Sequence, residues 1–397
     1  MPLYYDILKL IMAENRNRDK ILAVGYSVRH IVCSGSRAGY EMYAADAFGD
    51  VDTRRCAKRY IPLEPLSNLS HEIGAMDGII LGSGMENANF LFEDMAKIWG
   101  NPIDTVKRVS NKAWLATRLD DLNIPHPHTC TCIRAIEELK EEGKPKLRYP
   151  VVVKPIYGGG GTKNKLCWND KELTRFADRD FICQEYIRGR HASVSTLSTG
   201  KEVVSVAVNE QLIGLDSLHA PGSFSYCGNI TPFHRVSRLA EQMCEIAEFL
   251  TLKFGLKGSN GFDFVISADD SQPFLIEVNP RFQGSLDTVE LSTGLNIVDG
   301  AIKAVRKGIL PERINTHRYA VKLILYAERD MVVKRDLDGG ISIGGIADIP
   351  AKGTVIRSGQ PIASCIGVGD KRATAINAAM ENLALLKSSV SPLPFTR

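Results

Sequence analysis

Short apolar runs alternate with helix-patterned polar segments over the first hundred residues. Ile21-Leu22-Ala23-Val24-Gly25 reads as a buried strand, a helical segment runs to about Ala38 with Gly39 as its stop, and Tyr40 to Ala45 forms a second strand. A third such unit ends in Asp77-Gly78-Ile79-Ile80-Leu81-Gly82. Strand and helix in alternation predict an open parallel α/β domain over residues 1–105. A leading helix around Ile7, Leu8, Leu10 and Ile11 precedes it.

After Asn101 the pattern changes. A helix is expected from Ser110, as its cap, through Lys112 to Leu119, and Asn123-Ile124-Pro125 ends it. Tyr149 to Pro155 is a β-branched strand that closes on Lys154-Pro155 and runs into Gly158-Gly159-Gly160-Gly161. Phe181 to Ile187 and Ser193 to Ser198 read as strands, and Phe224 to Pro232 as a loop. The next helix carries Val236, Leu239, Met243, Ile246, Leu250 and Phe254 on one face, which should pack on the hairpin that follows. Leu291 to Lys307 is helical, Tyr319 to Tyr326 alternates as a strand, Leu337-Asp338-Gly339-Gly340 is a turn, and a helix from about Arg372 to Leu386 closes the chain.

The hairpin concentrates the chemistry. Gly261 to Ile266 and Phe274 to Asn279 both alternate, and Ala268 to Pro273 between them is turn chemistry. Alternation puts Ile276 and Val278 on one face and Glu277 and Asn279 on the other, and the turn folds Asp263 opposite them. Two carboxylates and an amide oxygen are hard ligands, suited to Mg2+ and also to Mn2+. Arg281, just past the strand, is placed to neutralise a phosphoryl group. Four consecutive glycines serve no core, but they let a chain turn its N–H groups toward an anion. Lys154 precedes them and no Gly-Lys-Ser/Thr follows, so this is not a Walker loop.

Composition narrows the partners. Of 397 residues, 44% are hydrophobic and 24% charged, enough apolar material for two or three cores. The net charge of +3 is spread along the chain without a basic block, so neither nucleic acid nor a membrane surface is an expected partner. No apolar run reaches the length of a membrane span, and no export signal opens the chain. Nine irregularly spaced cysteines read as reduced thiols, which fits the cytoplasm.

Other candidates carry less. Gly25, with Asp46 after the second strand, hints at a dinucleotide site, but Ser27 and His30 stand where that fingerprint needs glycine. Arg29 and Gly82-Ser83-Gly84 follow strand ends, where open sheets hold ligands, and Tyr226 to Asn229 is a second candidate substrate contact. His126, His128, Cys130 and Cys132 alternate along an extended segment and lack the paired spacing of zinc sites.

Lysine on a helix, strand Lys-Pro with a glycine loop, Gln184-Glu185-Tyr186-Ile187, distant Asp263, and Ile276-Glu277-Val278-Asn279-Pro280-Arg281 together resemble the ATP-grasp superfamily of carboxylate-amine ligases. The resemblance runs from about Leu22 to about Pro311, and Asp348-Ile349-Pro350 with Gly359-Gln360-Pro361-Ile362 is distantly similar to the closing domain of biotin carboxylase. It implies a two-subdomain α+β ATP-grasp fold over residues 106–311, with a lid at about 148–195, between the open α/β domain and a small α+β appendage at 312–397.

By the same resemblance, Lys112 and Lys154 hold the α and β phosphates, and Gly158, Gly159, Gly160 and Gly161 close over the β and γ phosphates. Gln184, Glu185 and Ile187 line the adenine and ribose pocket, and His191 stands where many members carry an acid. Asp263, Glu277 and Asn279 bind magnesium, and Arg281 and Lys154 serve catalysis. The implied reaction is ATP-dependent activation of a small carboxylate as an acyl phosphate for attack by an amine, and a homodimer is compatible with it. The alternatives are carboxylation with bicarbonate, a non-catalytic ATP-binding regulator, and, remotely, a dinucleotide-dependent oxidoreductase.

Overall fold

The computed structural model describes residues 19–393 except 65–68, 70–71, 87–96, 142–146, 162, 178–179, 235–236, 313 and 338–344. The expected leading helix at residues 7–11, Val236 and most of the turn at 337–340 lie outside the described residues.

Strands Lys20–Val24, Glu41–Asp46, Arg59–Pro62 and Gly78–Leu81 form a wholly parallel sheet, with Lys20–Val24 between Glu41–Asp46 and Gly78–Leu81. Helix Arg29–Arg37 makes the first crossover, and Gly39, at φ 93°, ends it in a backbone region that only glycine enters cheaply. The central sheet has eight strands, in the order Pro273–Asn279, Gly258–Ser267, Gly189–Ser198, Val203–Ile213, Tyr226–Thr231, Tyr319–Tyr326, Pro361–Gly369 and Ile346–Ala347. Hydrogen bonds therefore run unbroken from the acidic hairpin into the C-terminal residues. A four-stranded sheet of Thr129–Thr131, Phe181–Glu185, Val151–Pro155 and Lys165–Cys167 stands above the cleft.

The hairpin is held from behind. Phe262, Phe264, Ile266, Leu275 and Val278 pack with Leu239, Met243, Ile246, Leu250 and Phe254 of helix Ser237–Lys253, the packing expected from the helix's apolar face. Phe264 is fully buried, so Phe264→Ala should cost about 3–5 kcal/mol. A urea midpoint that moves by less than about 1 kcal/mol equivalent would contradict that packing.

Several local expectations change. Asn111 caps helix Lys112–Asp121, accepting from the Trp114 N–H at 2.9 Å, because Ser110 is spent ending the preceding helix Ile103–Val109. The single helix expected over Leu291 to Lys307 is two, Leu286–Thr293 and Ile297–Lys307, broken where Gly294 takes φ 74° and Asn296 starts a new cap. Tyr226–Thr231 is a buried strand of the central sheet, not a loop. Cys33 and Cys56 form a disulfide, with Cα atoms 5.0 Å apart, while the other seven cysteines are free. Helices Arg29–Arg37 and Val51–Cys56 lie side by side and bring these thiols together, which their spacing does not reveal.

Candidate active site

Asp263 pairs directly with Glu277, and the next pair is Phe264 with Leu275, so Ile276 is the extra residue of a β-bulge. The bulge rephases the strand. Strict alternation would set Leu275 on the polar face beside Glu277, whereas here it is buried in the core at 1% exposure. Ile276, expected beside Val278, is only half-buried.

The Asp263 carboxylate accepts from Gln211 Nε2 and from Asn279 Nδ2, each at 2.9 Å. Burial, with the Glu277 charge added, pushes it up to about 7 against the pull of Arg281 and these hydrogen bonds. Two acids face each other here, a pairing that a hard divalent ion would relieve.

The lysines reach the same place from other elements. Lys112, in the first turn of its helix, donates to Gly158 O at 2.7 Å and lies 3.2 Å from Glu277 Oε1. Lys154, the last residue but one of strand Val151–Pro155, donates to Gln184 Oε1 at 2.6 Å, and Gln184 in turn donates to Thr129 Oγ1 at 2.9 Å. Burial pulls Lys154 down to about 8, with the nearby Lys112 charge acting in the same sense and Glu277 opposing. His191 is pulled down to about 4 by burial and the Lys154 charge, and is neutral at pH 7.

The glycine run bends over this group. Gly158, Gly160 and Gly161 all have positive φ, and a Cβ at Gly161 would sit 1.8 Å from Phe224 O. Gly160 O accepts from the Tyr226 N–H at 3.1 Å, and a Cβ at Gly159 would lie 3.1 Å from Arg281 Nη2. Arg281 is itself held: Nε donates to Glu86 Oε1 at 2.5 Å, Nη2 to Asn279 Oδ1 at 2.9 Å and Nη1 to Phe282 O at 3.0 Å. Burial would raise the Glu86 carboxyl, but Arg281 together with backbone N–H groups offsets it and holds Glu86 below the usual range.

Lys112, Lys154, Gly158 to Gly161, Gln184, Asp263, Glu277, Asn279 and Arg281 thus stand in one connected group. Glu185 flanks it: its N–H donates to His128 O at 2.8 Å, and its carboxylate accepts from the His128 N–H at 3.3 Å. Ile187 is half-buried two residues on. Glu86, Gln211 and Thr129, which reach the group from distant elements, carry no signal of it in the sequence.

Arg29 stands elsewhere. It is bidentate to Asp287, at 2.6 and 2.7 Å, and its Nε donates to Asp348 at 2.9 Å, while Lys322 donates to Asp287 at 3.0 Å. This buried network joins the parallel sheet to the central sheet and leaves the guanidinium no free edge for a substrate. Asn229 is likewise taken up by Tyr226, Thr231 and Thr288. Asp46 accepts from the Val28, Phe48 and Gly49 N–H groups, so it does not face a ribose as a dinucleotide site requires.

Lys154 and Asp263 set a pH window. If, as the resemblance implies, Asp263 meets a magnesium ion and Lys154 a phosphate, affinity for magnesium nucleotide should rise through about pH 7 as Asp263 ionises and fall through about pH 8 as Lys154 loses its charge. Isothermal titration from pH 6 to 9 checks this, and Asp263→Asn should remove the acid limb only. For stability the unliganded signs are opposite. Asp263, with a raised folded pKa, makes stability fall as pH rises from its unfolded value toward about 7, and Lys154, with a lowered one, makes it rise above about 8.

Residues 109–285 match the ATP-grasp domain family. An uncharacterised protein of Methanocaldococcus jannaschii is 28% identical, with 92% of each chain covered. The carbamoyl phosphate synthase large chain of Pyrococcus furiosus is 28% identical over 63% of this chain and 24% of its own, so this chain spans about a quarter of that relative. The biotin carboxylase domain of Hydrogenobacter thermophilus 2-oxoglutarate carboxylase, solved with MgADP, ADP and bicarbonate, is similar at a TM-score of 0.73 and 19% identity, over 92% of this chain and 89% of that one. L-amino acid ligase from Bacillus licheniformis gives a TM-score of 0.72 at 16% identity, over 95% of this chain and all of that one. Among the described residues no helix is long and apolar enough to cross a membrane.

Proposed function

We propose, from an ATP-grasp domain over residues 109–285 in a fold shared with ligases and carboxylases, that this chain is an ATP-dependent carboxylate-amine ligase. The carrying observation is the convergence of two lysines, a glycine loop, paired acids and Arg281 in one cleft. In this reading, Lys112 and Lys154 hold the α and β phosphates of ATP, and glycines 158–161 turn their N–H groups onto the β and γ phosphates. Gln184, Glu185 and Ile187 line the adenine and ribose pocket, and His191 meets the ribose or a phosphate.

Asp263, Glu277 and Asn279 fit a hard divalent ion, because they offer oxygen ligands side by side and burial with like charge pushes Asp263 up to about 7 despite the pull of Arg281. Mg2+ held there would supply charge neutralisation for the phosphates. The substrate carboxylate attacks the γ-phosphorus and ADP leaves. The amine then displaces phosphate from the acyl phosphate. No protein nucleophile is required, since positioning and charge neutralisation suffice. Three internal pairings, Lys112 with Glu277, Lys154 with Gln184 and Arg281 with Glu86, satisfy these groups before ATP arrives.

The second reading takes bicarbonate as the activated acid, and the likeness to a biotin carboxylase domain solved with bicarbonate favours it. Phosphate release from ATP, screened against amino acids and amines with and without bicarbonate, separates the two. ATP with magnesium at a hundred-fold excess over Kd should stabilise the chain by about 2.7 kcal/mol. Tight binding of NAD with no binding of magnesium ATP would overturn both readings.

A further inference from the structure

The lid sheet has a second chemical face. Thr129 pairs with Gln184, and Cys130 pairs with Cys183. Alternation then puts Thr129 and Gln184 on the face that meets Lys154, and Cys130 and Cys183 on the opposite face. His128, two residues before Cys130, falls on that opposite face, and helix Cys132–Glu138 runs across it and ends in Glu138. The imidazole, thiol and carboxylate donor atoms of His128, Cys130 and Glu138 all lie within 4.8 Å of one another.

We propose that His128, Cys130 and Glu138 form a site for a borderline-soft divalent ion of the Zn2+ class, on the back of the lid sheet and separate from the phosphate cleft. The sequence spacing hid it. His128 and Cys130 lie close in sequence without any of the paired spacings of zinc motifs, and the third ligand comes from the far end of a helix.

The donor set discriminates. Sulfur and imidazole nitrogen suit zinc or cobalt and not magnesium, whereas Asp263, Glu277 and Asn279 in the cleft offer only oxygen. Around a tetrahedral ion with bonds of about 2.0–2.3 Å, donor atoms stand roughly 3.5 Å apart. No pair that is now farther apart than that has to close in by more than about 1.3 Å, while the His128 and Glu138 atoms, at 2.7 Å, open by somewhat less than an ångström. His128 Nε2 and Glu138 Oε2 already meet at 2.7 Å, a contact the ion would replace. Arg134 Nε holds the other carboxylate oxygen at 2.9 Å, the outer support that orients a ligating carboxylate. The backbone is fixed as well, since His128 O accepts from Glu185 N–H and Thr131 caps the helix through the Arg134 N–H. The His128 side chain is 29% exposed, which gives an ion a way in and water the fourth position.

The test uses Co2+ as probe on the full chain, with the Cys33–Cys56 disulfide intact, in argon-flushed buffer free of thiols. One equivalent should bind with a thiolate-to-cobalt absorption band, and Zn2+ but not Mg2+ should displace it. Cys130→Ser should lose the band, and the near-isosteric Glu138→Gln and His128→Gln should each weaken binding by more than about ten-fold. Asp263→Asn, in the cleft, should keep it, and circular dichroism on each variant separates lost folding from lost ligation. The proposal is overturned by absence of the band in the native chain, by its survival in Cys130→Ser, by unchanged affinity in folded Glu138→Gln and His128→Gln, or by its loss in folded Asp263→Asn.

Discussion

Arg281→Ala should leave ATP affinity within a few-fold and lower turnover by about two to three orders of magnitude, the size usual for one preorganised donor. The guanidinium lies against Gly159, at the loop read as closing over the γ-phosphate, and Glu86 and Asn279 fix its direction before any substrate arrives. Charge that develops only during phosphoryl transfer is what such a group meets, so the loss belongs in the chemical step. Removing the arginine also strands the buried Glu86 carboxylate, at a cost of about 3–5 kcal/mol. The double variant Arg281→Ala with Glu86→Gln removes that complication, and should show the same split between affinity and rate. A large loss of affinity with unchanged turnover would make Arg281 an anchor of the loop and nothing more.

Lys154→Ala and Glu277→Ala should each abolish measurable turnover in chains that stay folded. Lys154 is buried at 6% exposure and its charge is disfavoured there, so replacing it removes a cost to the fold as well as a contact to Gln184. Glu277 is one of two facing acids, and its loss relieves Asp263 but leaves the buried Lys112 without its ion-pair partner, so the two effects oppose each other. Each chain is expected to stay folded, and to lose its function wholly. Thermal melts beside steady-state ADP release check both halves. Either variant keeping near-native turnover would remove that residue from the phosphate or metal assignment.

What was legible in the sequence was local in period. The pairing of Asp263 with Glu277 follows from two alternating runs and a turn, and the parallel sheet follows from apolar runs spaced by helical ones. The bulge at Ile276 was hidden, because only Leu275's burial in the finished core demands it. Glu86 was hidden for a different reason: it meets Arg281 across 195 positions, and a lone acid after a strand carries no signal of its partner. Arg29 was noticed at a strand end, yet its ligands Asp287 and Asp348 lie more than 250 positions away, and they turn a candidate substrate contact into a structural tie. Cys33 and Cys56 were two of nine unpatterned cysteines until two helices set them side by side. Residue types and periods forecast which side chains share a face, and long-range packing decides whether they remain free.

In the proposed reaction a carboxylate is activated by direct attack on the γ-phosphorus of ATP. Once the screen has found an acid and amine that elicit ADP, the acid is labelled with 18O in its carboxyl group and the released phosphate is analysed by mass spectrometry. Attack through a carboxylate oxygen and displacement by the amine carry one label into each phosphate. About one labelled oxygen should appear in phosphate per ADP formed, with none when the amine is supplied without the acid. Unlabelled phosphate released in step with product, or ADP formation that no acid elicits, would contradict it.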